Sequence, residues 1–336
     1  MKIAVINSGS SSIKFKLFDM QKQEVIISKL IEDVKEDSLI NLLKDIEDID
    51  MVGHRVVHGG EEFHSATLID DEVIDKIQQL IPLAPLHNPA NLNGIKIVKE
   101  LYPNIPQVAV FDTAFHFNMP KSAYMYALNY DMYEKHNIRR YGFHGTSHSF
   151  VLQESAKILK KDIKDINIIT LHLGNGASAC AIKNGVSVDT SMGFTPLEGL
   201  VMGSRCGDLD PAIVLFMQRE LGMSVDDVDK ELNKNSGLKG ICSNNDVREI
   251  LQSNDEKSKL ALEMMIRRIQ KYIGSYMVLL QKVDAIVFTG GIGENASYIR
   301  DKVLDNDVFR DIKSFVIKTD EELSIARECL NLNLAI

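Results

Sequence analysis

The chain has 336 residues and a formal net charge of −9, and 45% of its side chains are hydrophobic and 25% charged. This composition is typical of a folded enzyme and excludes a disordered or fibrous chain. The sequence has no Lys/Arg-rich block, so neither nucleic acid nor an anionic membrane is expected as a partner. The length predicts two domains with a cleft between them, and a small molecule is the expected substrate.

The N-terminal residues contain no apolar run long enough for a signal peptide, and no later stretch is long enough to cross a bilayer. The four cysteines, Cys180, Cys206, Cys242 and Cys329, form no C-x-x-C pair. This scatter fits neither a disulfide framework nor a zinc site. We therefore expect a reduced, cytoplasmic protein.

Two hairpins of similar design are predicted. In residues 2–19 an apolar run leads through a Gly/Ser turn into the alternating segment IKFKLF. Residues 167–189 repeat the design, with an apolar strand that leads through the turn LGNGAS into a second strand. Two such openings favour an internally duplicated protein, although glycine-rich turns also resemble one another by chance.

Helices are predicted after each hairpin. Asp210 and Pro211 predict the capped start of a short helix that ends before Gly222, so the charged loop 203–208 lies at its entrance. Strands that alternate with helices indicate an α/β architecture.

A long helix is predicted after the capping box at residues 253–256, and it runs into the strand DAIVFTGG. Its apolar stripe belongs either to the core or to a subunit interface. The stripe consists of Leu262, Ile266, Ile269, Ile273, Tyr276 and Leu280.

Three glycine-rich segments offer backbone N–H groups to phosphate. The hairpin tips at residues 7–12, with Lys14 nearby, and 172–178 favour a nucleotide that is gripped from both sides, but they are also compatible with solvated turns. The third segment, residues 289–296, satisfies the dinucleotide fingerprint, with Asp311 at the matching distance. An NAD-dependent dehydrogenase is therefore an alternative, although too few residues follow the segment to complete a dinucleotide-binding sheet.

Five further segments combine arginine, histidine or aspartate with glycine and apolar residues, which suggests charges held on tight turns. They are GHRVVHGG, PLHNP, FDTAFH, GFHGTSH and GSRCGD. A zinc site at these histidines would lack further ligands, and a serine-hydrolase triad would lack its G-x-S-x-G elbow.

Eight motifs in this order resemble the acetokinase family of the actin-like and sugar-kinase ATPase superfamily. They are NSGSSSIKF, GHRVVHGG, PLHNP, FDTAFH, YGFHGTSH, HLGNGAS, GSRCGDLDP and GGIGEN. The resemblance implies an α/β fold of two duplicated actin-like (ribonuclease H-like) domains, each built on a five-stranded sheet flanked by helices, with an interdomain cleft. Residues 1–148, completed by a C-terminal helix at about 321–336, would form the first domain, and residues 149–320 the nucleotide-binding and dimerisation domain of a homodimer.

The resemblance implies reversible, direct in-line transfer of a phosphoryl group from Mg-ATP to acetate, which yields acetyl phosphate and ADP. Propionate or another short carboxylate is the alternative acceptor, and Mn²⁺ is the alternative metal. A nucleotide-binding regulator without transferase activity would need none of the charged motif residues. A thermal-shift comparison of ATP with NAD would separate this regulator from the NAD-dependent dehydrogenase.

The motif residues are carried over one by one. The resemblance gives catalytic roles to Arg55, Asp112, His144 and Arg205, and the two arginines would hold the carboxylate and the transferring phosphoryl group. Asn7 and Glu321 would be associated with the metal, with Glu322 open as an alternative to Glu321. The acyl group would contact Arg55, Val57, Leu86, Phe143 and Pro196. The nucleotide would contact Ser10, Ser12, Lys14, His172, Leu173, Gly174, Asn175, Gly176, Asp246, Val247, Arg248, Gly291, Ile292, Gly293, Glu294 and Asn295.

The chain also departs from the family pattern. The stretches from Lys14 to Arg55 and from Asn295 to Glu321 are shorter than in a usual member. We expect missing strands or hairpins at the domain edges, with an effect on the dimer contact more than on the chemistry.

Overall fold

The computed structural model describes residues 1–9, 12–35, 37–85 and 87–335. Two of the predicted site residues, Ser10 and Leu86, lie outside the described residues. The strands are β1 (Lys2–Ser8), β2 (Ser12–Asp19), β3 (Glu24–Glu32), β4 (Met51–Val56), β5 (Thr67–Leu68), β6 (Gln107–Phe111), β7 (Ile168–Leu173), β8 (Ala177–Lys183), β9 (Val186–Thr190), β10 (Ala285–Thr289) and β11 (Ser314–Val316).

Helices follow or separate these strands. They are α1 (Ser38–Leu43), α2 (Asp71–Gln79), α3 (Asn88–Leu101), α4 (Lys121–Tyr124), α5 (Asp131–His136), α6 (Gly145–Leu159), α7 (Ala212–Arg219), α8 (Val225–Lys234), α9 (Gly237–Cys242), α10 (Val247–Gln252), α11 (Glu256–Leu280), α12 (Gly290–Asn295), α13 (Ser297–Leu304) and α14 (Glu321–Ala335). In the part of the chain that the structure describes, no helix combines the length and the apolar character needed to cross a membrane.

The first sheet has the strand order β3-β2-β1-β4-β6-β5. β1, β2 and β3 form an antiparallel meander, whereas β4 pairs in parallel with both β1 and β6. The two-residue β5 adds an antiparallel edge to β6. The predicted hairpin over residues 2–19 is confirmed.

The second sheet repeats this arrangement in the order β9-β8-β7-β10-β11. Again the first three strands in chain order form an antiparallel meander, and the next two add in parallel. In both sheets a register shift interrupts the pairing of the second strand with the third. Since five strands match in order and direction, the predicted duplication and the predicted hairpin over residues 167–189 are confirmed. The expected count of five strands is wrong for the first sheet, where β5 adds a sixth strand at the edge.

By its internal contacts the chain divides into two compact units. The first comprises Met1–Phe117, Phe143–Phe150 and Asp320–Ile336, and the second comprises Asn118–Gly142 and Val151–Thr319. The domain boundaries expected from the sequence stay a prediction.

The C-terminal helix α14 packs closely on the first sheet because of a glycine. A Cβ atom on Gly53 of β4 would lie 2.7 Å from Cys329 Sγ and 2.8 Å from Ile325 Cγ2. Those two side chains and Ala326 are fully buried in a core that also includes residues of β1, β4 and β6. Any side chain at position 53 would therefore push the helix off the sheet.

The predicted apolar stripe of the long helix lies in the core. Leu262, Ile269, Ile273, Tyr276 and Leu280 are all buried, and α11 packs against β8, α9 and α13. The stripe therefore gives no evidence for a subunit interface.

Two details of the predicted elements were wrong. The long helix begins two residues later than a Ser253 cap requires, because Asp255 accepts the backbone N–H groups of Lys257 and Ser258. The short helix begins at Ala212 and not at Pro211, and Asp210 accepts the N–H of Ala212. The glycine-rich segment after β10 forms the short helix α12, which begins at Gly290 with φ of +77°.

Because two of its histidines are buried, the first unit is expected to lose stability at acidic pH. Burial lowers the pKa of both His54 and His58 to about 4, so both side chains are neutral in the folded protein. In the unfolded chain they titrate near 6.5, so their contribution is fully present above that pH and is lost as the pH falls from about 6.5 to about 4. The loss amounts to up to about 3 kcal/mol for each histidine.

Denaturant unfolding between pH 7.5 and 5 measures this loss. His54→Gln should flatten the dependence of the unfolding free energy on pH, and replacement of the exposed His136 by Gln should not. An unfolding free energy that stays constant over this pH range would contradict the prediction.

Candidate active site

Three predicted site residues meet where parallel strands end. Asn7 lies near the end of β1, Arg55 near the end of β4, and Asp112 directly after β6. The parallel pairing aligns these positions, since Ile6 pairs with His54 and Val56 with Phe111. The carboxyl ends of the strands are where α/β sheets bind ligands.

Arg55 and Asp112 form a nearly buried ion pair. Arg55 donates from Nε and from a terminal nitrogen to the two oxygens of Asp112, at 2.9 and 2.5 Å, and Asp112 is 1% exposed. Burial raises the pKa of the Asp112 carboxyl, and the charge and hydrogen bonds of Arg55 oppose that rise. Burial alone would lower the pKa of Arg55, but the charges of Asp112 and Glu321 raise it, so the guanidinium stays charged.

Helix α6 is fixed to this ion pair through its first residues. Gly145 donates its N–H to the backbone carbonyl of Asp112 at 3.0 Å, and a Cβ atom on Gly145 would lie only 2.2 Å from that oxygen. Thr146 donates its hydroxyl to the Asp112 carboxylate at 3.3 Å. His144 immediately precedes Gly145 and has a left-handed backbone with φ of +57°. The sequence GFHGTSH therefore ties His144 to Asp112.

Glu321 and Glu322, the two candidates for association with the metal, have different partners. Glu321 Oε2 lies 3.6 Å from Arg55 Nε, whereas Glu322 Oε2 lies 3.1 Å from Lys16 Nζ. Glu322 is 7% exposed and is already committed to an ion pair. Glu321 is the member of the acidic pair that borders Asn7, Arg55 and Asp112.

Oxygen ligands suited to a hard divalent cation are present here, but they are few. Asn7 Oδ1 lies 3.3 Å from Arg55, so Asn7, Asp112 and Glu321 all surround one guanidinium. Among the described residues, no group of three or more His, Cys, Asp or Glu side chains could hold a metal ion alone. Mg²⁺ commonly binds through one or two protein oxygens, substrate phosphates and water, so this donor set fits a metal that arrives with a nucleotide.

The predicted acyl-binding residues of the first unit are apolar and nearly inaccessible. Val57 is 6% and Phe143 2% exposed, and the Phe143 ring contacts the ring of His58. Asn91 accepts the N–H of Val57, and Asn88 bonds with both the N–H and the carbonyl of His58.

Sequence reasoning assigned no role to these two asparagines. Asn88 belongs to PLHNP, one of the five charged segments named above. An asparagine followed by a proline at the start of a helix is the sequence feature that could have indicated its role. Their side chains hold the segment that carries Val57.

Arg205, in the second unit, has no counter-charge. Its guanidinium donates to the carbonyl of Pro196 at 3.2 Å, and no carboxylate of the described residues lies within ion-pair distance. Burial lowers the pKa of Arg205. A half-buried cation without an anion is costly, so the site is prepared for an anionic ligand.

A network that the sequence did not predict supports the Pro196 carbonyl. Arg140 donates to Glu198 at 2.5 Å and to the carbonyls of residues 190, 191 and 192. Tyr126 donates to the other Glu198 oxygen and accepts the N–H of Phe194. These bonds fix both ends of the loop that presents Pro196 to Arg205.

A cavity of about 760 Å³ in the second unit is lined by several predicted nucleotide-binding residues. Gly174, Asn175, Asp246, Val247, Arg248, Gly291, Ile292 and Asn295 line it, together with Asn245, Leu251 and Ala296, which were not predicted. The volume is within the usual range for cofactor pockets. Arg248 donates two hydrogen bonds to Asp246 and thereby lowers the pKa of that carboxyl to about 2.

The other predicted nucleotide-binding residues of the second unit are not among those that line this cavity. His172 and Leu173 end β7, and Gly176 closes the turn by accepting the N–H of Gly174. Glu294 accepts the N–H groups of Gly290 and Thr319, and Gly293 lies buried in α12.

Ser12 and Lys14 belong to the first unit. Ser12 begins β2. Lys14 is exposed and makes no ion pair with any described residue.

The dinucleotide fingerprint occurs at an unusual place for a dehydrogenase. It follows β10, the fourth strand of the second sheet in chain order, and only the three-residue β11 comes after it. A dinucleotide fold carries this fingerprint after its first strand.

Comparison with known proteins gives consistent matches over the whole chain. A model of the acetokinase family matches residues 2–45 and 38–331. The acetate kinase of Sulfurimonas denitrificans is 50% identical over 382 aligned residues, covering 98% of each chain. The crystal structure of Porphyromonas gingivalis acetate kinase has a TM-score of 0.93 at 39% identity and covers 99% of each chain. A propionate kinase from Francisella tularensis has a TM-score of 0.92 at 41% identity, covering 97% of this chain and 98% of its own.

The alignment with the Sulfurimonas protein is longer than this chain, so that relative has residues which this chain lacks. The family match divides at residues 38–45, inside the stretch from Lys14 to Arg55 that the sequence marks as shortened.

Arg55 and Arg205 should differ in what they contribute to stability. Arg55→Ala leaves Asp112 buried without its counter-charge and should cost about 3 to 5 kcal/mol of unfolding free energy. Arg205→Ala removes a half-buried cation that has no counter-ion among the described residues, so it should leave the unfolding free energy unchanged or raise it. Denaturant unfolding of both variants measures the difference.

The double variant Arg55→Ala/Asp112→Asn is the matched control and should recover part of the loss, because no buried charge remains. Equal stability of the two single variants would contradict this interpretation.

Proposed function

Since the chain belongs to the acetokinase family, we propose that it transfers the γ-phosphoryl group of ATP reversibly to acetate, forming acetyl phosphate and ADP. The fold is that of the actin-like ATPases, and the activity is phosphotransfer to a carboxyl group. The likeness to a propionate kinase keeps propionate as the alternative acceptor.

The observation that carries this proposal is the unpaired, half-buried Arg205. An acetate ion is already a nucleophile at neutral pH, so no general base is required. The protein must instead hold two anions in contact, and cations aimed at the developing charge of the transition state do this. A guanidinium with no protein counter-ion is the group that such a reaction needs.

Each predicted site residue then receives a role. Arg205 binds the transferring phosphoryl group, and Arg55 binds the acceptor carboxylate while Asp112 fixes its direction. His144 donates to an equatorial phosphoryl oxygen. The hydrogen bond from the Gly145 N–H to the Asp112 carbonyl helps to hold His144 and Arg55 in fixed positions relative to each other.

A divalent metal accompanies ATP, and we propose Mg²⁺, with Mn²⁺ as the alternative. When bound, the metal neutralises charge on the phosphates and so stabilises the transition state. Asn7 and Glu321 are the residues that would hold it, directly or through water, and their oxygens support this assignment.

The nucleotide is proposed to occupy the cavity of the second unit, with the adenosine against residues 246–248 and 291–295. Lys14, which has no counter-ion among the described residues, and Ser12 are assigned to the donor phosphates, as is the segment 172–176. The acyl group is assigned to Val57, Phe143 and Pro196.

Domain boundaries and location stay proposals as well. We propose a first domain at residues 1–148 completed by α14, which the grouping of Asp320–Ile336 with Met1–Phe117 supports. The cytoplasmic location is proposed because the four cysteines are free, as is usual in a reducing compartment.

We also propose that the chain forms a homodimer through α7 of the second unit. No residue of this helix is buried, although it reads AIVLFMQR. Leu215 is 47% and Phe216 55% exposed, and the neighbouring Leu221 and Val225 are more exposed still. A contiguous apolar patch of this kind is typical of a protein interface. A second copy is the occupant that the family relationship supports.

A coupled assay with ATP, Mg²⁺ and short carboxylates tests the function. Acetate should exceed propionate by about one to two orders of magnitude in kcat/KM, because one methylene in an apolar pocket is worth roughly 1 to 3 kcal/mol. Val57→Ala should shift the ratio toward propionate.

Arg205→Leu is the control for this assay. It should lower turnover with every acid by on the order of 10³-fold or more, since the guanidinium and its positive charge are lost. If the wild type prefers propionate, propionate replaces acetate as the proposed acceptor. Normal turnover in Arg205→Leu would contradict the mechanism.

Light scattering tests the dimer. The wild type should have twice the monomer mass of 37.6 kDa, and Phe216→Glu should give the monomer. Leu30→Glu is the matched control, because Leu30 is 58% exposed but lies on β3 of the first unit. A monomeric wild type at micromolar concentration would exclude the dimer.

A further inference from the structure

We propose that Lys16 is a positioning residue for Glu321, which it directs by holding the acidic residue on either side of it. This inference rests on the proposed function, because Glu321 acts there on the metal-bound nucleotide. Lys16 belongs to none of the motifs assigned to a ligand, and its partners lie about 300 residues away in the sequence.

The ammonium of Lys16 binds two carboxylates at once. Its Nζ lies 2.8 Å from Asp320 Oδ1 and 3.1 Å from Glu322 Oε2. The three side chains are 22%, 28% and 9% exposed, so solvent weakens these ion pairs less than pairs on the open surface. Burial alone would lower the pKa of Lys16, but the two carboxylates outweigh burial and raise it.

Asp320 is also the cap of α14. Its Oδ1 accepts the N–H of Leu323 at 3.0 Å, and its carbonyl accepts the N–H of Ser324. Lys16 on β2 therefore anchors the capping carboxylate itself, which fixes where the helix begins above the first sheet.

The two anchors fix the direction of the residue between them. Asp320 and Glu322 precede and follow Glu321, and both are held by one atom of β2. The first turn of α14 therefore cannot rotate about the helix axis, and Glu321 remains directed to Arg55, at 3.6 Å. Lys16 thereby adds a polar restraint on the first turn to the helix cap and to the packing of the later turns on the sheet.

Charge supports the same role. Asp320, Glu321 and Glu322 are three consecutive acids, and the charge of Glu321 acts on the buried Asp112 carboxylate. Lys16 offsets two of these charges and leaves Glu321 as the acid that meets Arg55 and an incoming cation. Loss of Lys16 would leave Glu322 nearly buried without a counter-charge, and it would then compete with Glu321 for Arg55 or for the metal.

Lys16→Met tests the proposal, since methionine keeps the apolar stem and removes the charge. Activity is measured against Mg²⁺ concentration at saturating acetate, and acetate KM is measured at saturating Mg²⁺. The half-saturating Mg²⁺ concentration should rise about tenfold, as for other residues that orient a metal ligand, and acetate KM should change less than twofold. Lys16→Arg should restore most of the Mg²⁺ response, and Lys29→Met on the neighbouring β3 should leave it unchanged.

A binding measurement provides a readout independent of activity. Mn²⁺ binding in the presence of ADP, followed by electron paramagnetic resonance, should weaken about tenfold in Lys16→Met. If Lys16→Met does not fold, Asp320→Asn removes one of the two anchors and should give the same change at smaller size.

The outcomes separate the two proposals. A normal Mg²⁺ response and normal Mn²⁺ binding in Lys16→Met, with or without a lower melting temperature, would overturn the positioning role. A wild type inactive toward acetate and propionate would overturn the proposed function, and the Mn²⁺ measurement would still decide the role of Lys16.

Discussion

The first unit is organised around the ion pair between a mostly buried guanidinium and a fully buried carboxylate. Arg55 and Asp112 lie at the ends of neighbouring parallel strands, and neither could be buried there without the other. Their pairing determines what surrounds them: Asn7 and Glu321 approach the same guanidinium, and the start of α6 is tied to Asp112 through Gly145. The geometry of this end of the first sheet is thus a consequence of satisfying one buried ion pair.

The second unit repeats the sheet but not this electrostatic arrangement. Among the described residues, the Arg205 guanidinium has only the Pro196 carbonyl as a partner. A separate network of Arg140, Glu198 and Tyr126 stabilises the loop that supplies this carbonyl. One arginine is therefore neutralised by the protein before any substrate arrives, while the other is left for an anion. The difference suits a phosphoryl transfer, in which one cation must orient an acceptor and another must meet charge that develops during the reaction.

The regular elements could be predicted because their signals are local. The alternation in IKFKLF and the apolar spacing of α11 are sufficient to define a strand and a buried helix face. Features that depend on distant residues could not be predicted. Lys16 looks like a solvent-facing lysine of an alternating strand, and nothing near it indicates Asp320 and Glu322. Likewise, nothing in the sequence shows that Glu321 lies near Arg55 and Glu322 near Lys16. The start of α11 depended on which of two polar residues accepts the first backbone N–H groups of the helix.

Gly53 and the close packing of α14 also affect how the chain is made. The helix that completes the core around β4, and that carries Glu321, is translated after every residue of the second unit. While the nascent chain emerges, the first sheet presents an apolar face without its last layer, and the sheet of the second unit is already complete in sequence. Until α14 has been made and has packed on this face, chaperone contact is expected to concentrate on the strands of the first sheet.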